Sequence, residues 1–180
     1  MIGILLRLLK SSQKRSMDPL QVAMTGVRMG ERVLQIGCAD KALLAGLAAK
    51  VGLSGNIAVA VTNQRQAKLA ESIGRKVGAL IDVKDVDEGR AWPFDQDAFD
   101  MVVVDDSDDG FWGFKPPVEI LRKGLGSLRP GGRIEIVTPM ESQQGKFDFV
   151  QLMTDAGFKP VRMLAEVKGL RFLEGLRPNS

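Results

Sequence analysis

Along the chain, short aliphatic runs bounded by turn residues alternate with longer stretches in which apolar side chains recur every three or four positions. The short runs predict buried strands, and the longer stretches predict helices with one apolar face. Strands are expected at residues 32–36, 56–61, 79–83, 101–105 and 133–138, and helices at 41–50, 64–77, 117–128 and 147–156. In the first of these helices Leu43, Leu44, Leu47 and Ala48 make up the inward face. Turns are marked by residues 52–55, by Pro130, Gly131 and Gly132, and by Gly157. Such alternation builds a parallel sheet covered by helices on both faces. The last part breaks the rhythm: residues 160–167 and 170–176 are strand-like and separated only by Lys168 and Gly169. Two residues can close a hairpin but cannot make a parallel crossover. The pattern therefore predicts an α/β fold of Rossmann-like type, a mostly parallel seven-stranded sheet ending in an antiparallel hairpin.

Composition bounds this picture without changing it. At 180 residues, 44% hydrophobic and 26% charged, the chain suffices for one domain with a sizeable core. Its 25 basic and 22 acidic residues, net +3, are interspersed, so no basic stripe points to nucleic acid. Histidine is absent, which removes the commonest general base and metal ligand. A single cysteine, Cys38, excludes an internal disulfide, and a cytoplasmic location is expected. The opening MIGILLRLLK is apolar but falls short of the roughly 20 residues that cross a membrane. It is followed, not preceded, by the charges of a secretory signal. Residues 1–16 are expected to form an amphipathic extension to a single domain at 17–180. That extension either packs on the domain or mediates self-association, or it rests on a membrane surface.

The candidate chemistry begins at VLQIGCADKALL, residues 33–44, a strand that enters a glycine turn and then a helix. In an open α/β sheet ligands lie beyond the carboxyl ends of the strands, where loop amides and helix starts gather. Gly37 allows the sharp turn, and Cys38 and Ala39 are small enough to let a ligand approach the main chain. Asp40 either caps the following helix or contacts a ligand's ammonium group. Cys38 reads as a small filler, since no histidine is present to activate it. Farther along, DDSDDGFWGF, residues 105–114, sets four carboxylates and three aromatics at the same end of the sheet. They form a solvated loop with a packed aromatic lid, a substrate-contacting loop built on Asp105 or Asp106 with Phe111, Trp112 and Phe114, or an oxygen-ligated cation site.

Four stretches in order resemble the class I methyltransferases that use S-adenosylmethionine. ERVLQIGCADKALL is similar to their first motif, WPFDQDAFDMVVVDD to the segment leading into the fourth strand, LRKGLGSLRPGGRIEIVTP to the turn before the fifth strand, and LMTDAGF to the last helix before the hairpin. The resemblance covers about residues 20–176 and is closest to quinone-biosynthesis and small-molecule methyltransferases. It implies that S-adenosylmethionine lies against Gly37, Cys38, Ala39 and Asp40. Its ribose would then meet Thr62 or Asn63, its adenine Asp85 or Asp87 with Val86, and its reactive end Asp105. It also implies transfer of a methyl group to a small, partly apolar molecule. The sequence departs from that pattern where Gln35 replaces an acid, Ala39 and Lys41 replace glycines, and Thr62 or Asn63 replaces the ribose-binding acid. Losing a charged acceptor for ribose hydroxyls costs about 1.5–3 kcal/mol, roughly ten- to a hundred-fold in affinity. The second expectation is accordingly a protein that keeps the fold without the cofactor and acts as a binding or assembly partner.

Overall fold

The computed structural model describes residues 17–86, 89–110, 117–141 and 148–179. Seven strands form one sheet: β1 (Arg32–Ile36), β2 (Asn56–Val61), β3 (Ile81–Asp85), β4 (Phe99–Asp105), β5 (Leu128–Pro139), β6 (Val161–Val167) and β7 (Leu170–Leu176). Their order is β3-β2-β1-β4-β5-β7-β6, with β1 to β5 parallel and β7 antiparallel to both β5 and β6. The helices are α1 (Pro19–Met24), α2 (Lys41–Val51), α3 (Gln64–Val77), α4 (Pro117–Ser127) and α5 (Phe149–Ala156). This is the class I methyltransferase fold.

Two cores divide the sheet by the period-two alternation of its strands. Leu34, Ile36, Val102, Val104, Ile134 and Ile136 face α4 and α5. On the other face Val33, Val59, Met101, Val103 and Val137 meet α1, α2 and α3. Because β1 and β4 are central and covered on both sides, their residues are buried almost without exception. At the amino ends of the strands Asp100 ties Arg32 and Arg129 together, and Arg133 pairs with Glu31 at 2.9 Å. Burial alone would raise the Asp100 carboxyl, but the hydrogen bonds from Arg32 and Arg129 prevail and hold it at about 2.

Among the boundaries that differ from the sequence expectation, three have identifiable reasons. β3 starts two residues later than expected because Gly78, at φ 68°, ends α3 in the left-handed conformation and Ala79 N–H donates to Gly74 O. β5 starts earlier, since Leu128 already pairs with Phe99 across an irregular step that accommodates the proline-glycine turn. α5 begins at Phe149 because Asp148 caps it, accepting from Gln151 N at 3.1 Å. The short helix α1 was not expected from the pattern. It is set by a capping box in which Asp18 and Gln21 bond each other's backbone. α1 closes tightly on α2: Val22 Cγ1 leaves no room for a Cβ at Gly46. The expected extension at 1–16 lies outside the described residues. Among the described residues no helix is long and apolar enough to cross a membrane.

Candidate functional site

The carboxyl ends of β3, β2, β1 and β4 stand side by side, and the turn after β1 is held closely against them. Gly37 has φ +81° and donates its N–H to Ala60 O at 2.9 Å. A Cβ there would lie 3.0 Å from Asp105 O, so glycine lets the end of β1 close on β4. Asp105 then grips the turn from the opposite side. Its Oδ2 accepts from Ala39 N at 2.8 Å and Asp40 N at 2.9 Å, and its Oδ1 accepts from Ser107 N at 3.2 Å and Ser107 Oγ at 2.6 Å. Burial pushes the Asp105 carboxyl above its ordinary value, while the bonds from Ser107, Asp40 and Ala39 oppose that push.

Asp40 takes the capping role. Its Oδ1 accepts from Ala42 N at 2.8 Å and Leu43 N at 3.2 Å, and its Oδ2 accepts from Met17 N at 2.7 Å. Cys38 is buried as a filler. Burial first, then the carboxylates of Asp105, Asp40 and Asp108, push its thiol up to about 12. Lys41 is exposed. At the end of β2, Thr62 N donates to Gln66 Oε1 at 3.3 Å, and Asn63 Oδ1 accepts from Gln66 N at 3.0 Å as the cap of α3. Asp85 is exposed at the end of β3, and Val86 is buried with its N–H on Val61 O at 2.8 Å. Asp87, Phe111, Trp112 and Phe114 lie outside the described residues.

The expectation of a solvated acidic loop after β4 needs correction. Only Asp108 of its four carboxylates is exposed; Asp105, Asp106 and Asp109 are buried. Asp106 Oδ2 accepts from Thr138 Oγ1 at 2.7 Å, and Asp109 N donates to Asp106 O. The Thr138 bond offsets part of the cost of burying the Asp106 carboxylate.

Among the described residues, two buried polar groups carry unpartnered atoms: Gln35, already singled out as replacing the motif's acid, and Glu135, which the pattern reading passes over. Gln35 is fully buried on β1; its Nε2 donates to Gly37 O at 2.9 Å, while Oε1 has no hydrogen-bond partner among the described residues. Glu135 on β5 is 1% exposed, and neither of its carboxyl oxygens has a partner among the described residues. Burial first, then the Glu174 carboxylate, push its pKa up to about 9, against the opposing pull of Arg133 and Arg162. The signal for Glu135 lay in its setting: a charged residue inside RIEIV, on a strand with both faces covered, has no route to water.

S-Adenosylmethionine, the cofactor implied by this fold, carries an ammonium group, and the orphaned Gln35 Oε1 is a buried acceptor one residue from the turn that would receive it. The residues present fit that end of the cofactor. A shallow groove of about 380 Å³ at the amino ends of β2 and β3, lined by Asn56, Leu80, Asp82 and Phe99 among others, lies away from this chemistry.

Comparison with known proteins agrees with this geometry. A family model described as methionine biosynthesis protein MetW matches residues 18–139. The ubiquinone/menaquinone biosynthesis C-methyltransferase UbiE of Citrobacter koseri is 29% identical over 114 residues, 63% of this chain and 44% of that protein. The chain thus matches less than half the length of that curated relative. A SAM-dependent methyltransferase from Aquifex aeolicus superposes with a TM-score of 0.72 at 18% identity, covering 89% of each chain. The 4+2 cyclase SpnF superposes with a TM-score of 0.68 at 16% identity, covering 90% of this chain and 80% of that one.

Proposed function

From the premise that the chain belongs to the family of methionine biosynthesis protein MetW, whose model spans more than half of it, we propose that it binds S-adenosylmethionine and methylates a small, partly apolar molecule in the cytoplasm. The observation that carries this reading is the orphaned, fully buried Gln35 Oε1 beside the Gly37 turn of a central strand. A buried acceptor left unpaired costs about 1–3 kcal/mol, and a ligand N–H repays it. In this reading Gly37, Cys38, Ala39 and the capped start of α2 hold the methionyl end of the cofactor. Thr62 and Asn63 meet the ribose with neutral groups, while Asp85 and Val86 border the adenine. Asp105 fixes the shape of the turn through Ala39 and Asp40. When bound, the cofactor supplies a methyl group on a sulfonium, which is already activated for departure. What remains for the chain is to align the acceptor and exclude water, so the lack of histidine is no obstacle.

Calorimetry with S-adenosylmethionine and S-adenosylhomocysteine tests the reading. Dissociation constants of about 0.1–1 mM are expected, given the neutral ribose position, with roughly tenfold weakening in Gln35→Leu. Absence of heat with either nucleoside overturns it.

A second reading, an assembly partner that keeps the fold without the cofactor, is favoured by a different observation. The Ala39 and Asp40 amides are already engaged by Asp105, and the Asn63 side-chain oxygen by the α3 cap. The same calorimetry separates the two.

A further inference from the structure

Gln35 and Glu135 are not scattered. The register pairs Gln35 with Val103, Val103 with Glu135, and Glu135 with Glu174, so the four lie in one row across β1, β4, β5 and β7, on the face that α1 covers. Neighbouring strands are about 4.8 Å apart, which sets the Gln35 and Glu135 Cα atoms about 10 Å apart with Val103 between them. The unpartnered atoms in this row are Gln35 Oε1 and both carboxyl oxygens of Glu135. Val103, Val137 and Phe172 on the sheet and Val22 on α1 belong to the apolar cluster of this face, beside the buried Gln21 of α1 and its cap Thr25. The nearby charges are committed elsewhere. Arg133 bonds Glu31 and Gly26 O, Arg162 bonds Glu174, and Asp105 is held by the β1 turn. α1 brings no titratable side chain, and Asp18 just before it pairs with Lys168.

We propose that this face binds the cationic amine of a small, partly apolar molecule, with Glu135 as the anchoring carboxylate. Once it gives up its proton, Glu135 presents two unpartnered acceptor oxygens, and an ammonium is the compact group that supplies several N–H donors and no acceptor. Naming that molecule as the methyl acceptor rests on the cofactor reading of Gln35; the amine site itself does not. α1 is six residues long and is tied to the hairpin by Gln21 Nε2 on Val167 O and by the Asp18–Lys168 pair, so the row is reached by displacing a short element. On binding, the Glu135 carboxyl proton passes to the buffer, an ion pair forms with the incoming ammonium, and no other bond changes.

Proton-linked calorimetry tests this on the full chain, with n-butylammonium chloride as probe and 1-butanol as its neutral counterpart. Near neutral pH, titrations in buffers of different ionisation enthalpy should show saturable binding with close to one proton released per ammonium bound. Glu135→Gln should weaken binding about tenfold or more and abolish proton release. If Glu135→Gln does not fold, Glu135→Asp, which keeps a carboxyl on a shorter arm, should still release the proton with weaker binding. Equal binding of 1-butanol, an unaltered Glu135→Gln, or no saturable heat with butylammonium overturns the proposal and leaves Glu135 with buried water alone. Butylammonium binding without S-adenosylmethionine binding keeps the amine site and removes only the cofactor reading.

Discussion

Replacing Glu135 by glutamine should make the protein more stable at neutral pH, and by an amount that grows with pH. The folded carboxyl titrates at about 9 and its unperturbed value is 4.5, so the folded chain keeps a proton that the unfolded chain releases. Each pH unit between those values favours the unfolded state by about 1.4 kcal/mol. From 4.5 to pH 7 the accumulated loss is about 3 kcal/mol, and it approaches about 6 kcal/mol near pH 9. Below the unfolded value both states hold the proton and the stability is fully present; it is lost as pH rises through the folded value. Glutamine has the shape of the protonated acid but cannot ionise, so the variant should match the wild type near pH 4 and exceed it by about 3 kcal/mol at pH 7. Against a typical domain stability of about 5–15 kcal/mol that is a large gain. Urea unfolding of both proteins across this pH range measures it directly, with equal slopes confirming that the same surface is exposed. Parallel stability curves for the two proteins would refute the reasoning, because they would mean that Glu135 is already ionised in the fold.

Other consequences are open to equally direct measurement. Asp105→Ala leaves the Ala39 and Asp40 amides and Ser107 without their acceptor and should cost about 2–4 kcal/mol in chemical denaturation; a loss under about 1 kcal/mol would show that the grip is replaceable by water. Cys38, 2% exposed and titrating near 12, should resist thiol reagents in the native protein and label at the rate of unfolding; rapid native labelling would contradict its burial. Asp100, held at about 2 against an ordinary 3.8, contributes stability that is present above 3.8 and lost as pH falls toward 2. Asp100→Asn should therefore remove about 1–2 kcal/mol at pH 7 and flatten the acid limb of the stability curve. Removing residues 1–15 should leave the fold's circular dichroism unchanged and alter sedimentation or liposome affinity; identical behaviour in both assays would refute an interactive role for that segment.

The sheet was legible because its signals are local and redundant. The central strands are mostly aliphatic, α2, α3 and α5 each start at a capping Asp or Asn and end at a glycine, and two residues between the last strands admit only a hairpin. The misplaced start of β3 shows the limit: Ala79 and Leu80 are strand-like in type, yet the closing bond from Ala79 to Gly74 commits them to the end of α3. α1 was invisible to periodicity because six residues hold less than two helical turns. In the candidate site, the strand-turn-helix outline gave Gly37, Asp40 and Asp105 their places. It did not give their partners, since bonds from Asp105 to Ala39 and from Asp40 to Met17 join positions 66 and 23 residues apart. Gln35 looked like a lost acid in the motif; only its burial and its bond to Gly37 O show one end of the amide satisfied and the other left open. Of the three readings open for the acidic loop, solvent exposure fails at Asp105, Asp106 and Asp109, because a carboxylate with enough donors around it can leave water.

The bond from Met17 N to Asp40 fixes where this protein can be shortened or joined to another. A version beginning at Met17 would present a free amino terminus to the same carboxylate at the same 2.7 Å, gaining a charge where it previously had an amide. A fusion made at that point would keep the amide and its bond, whereas one that deletes Met17 would remove a donor from Asp40 Oδ2 beside the oxygen that caps α2. Fusion partners and purification handles therefore belong upstream of Met17, never in place of it.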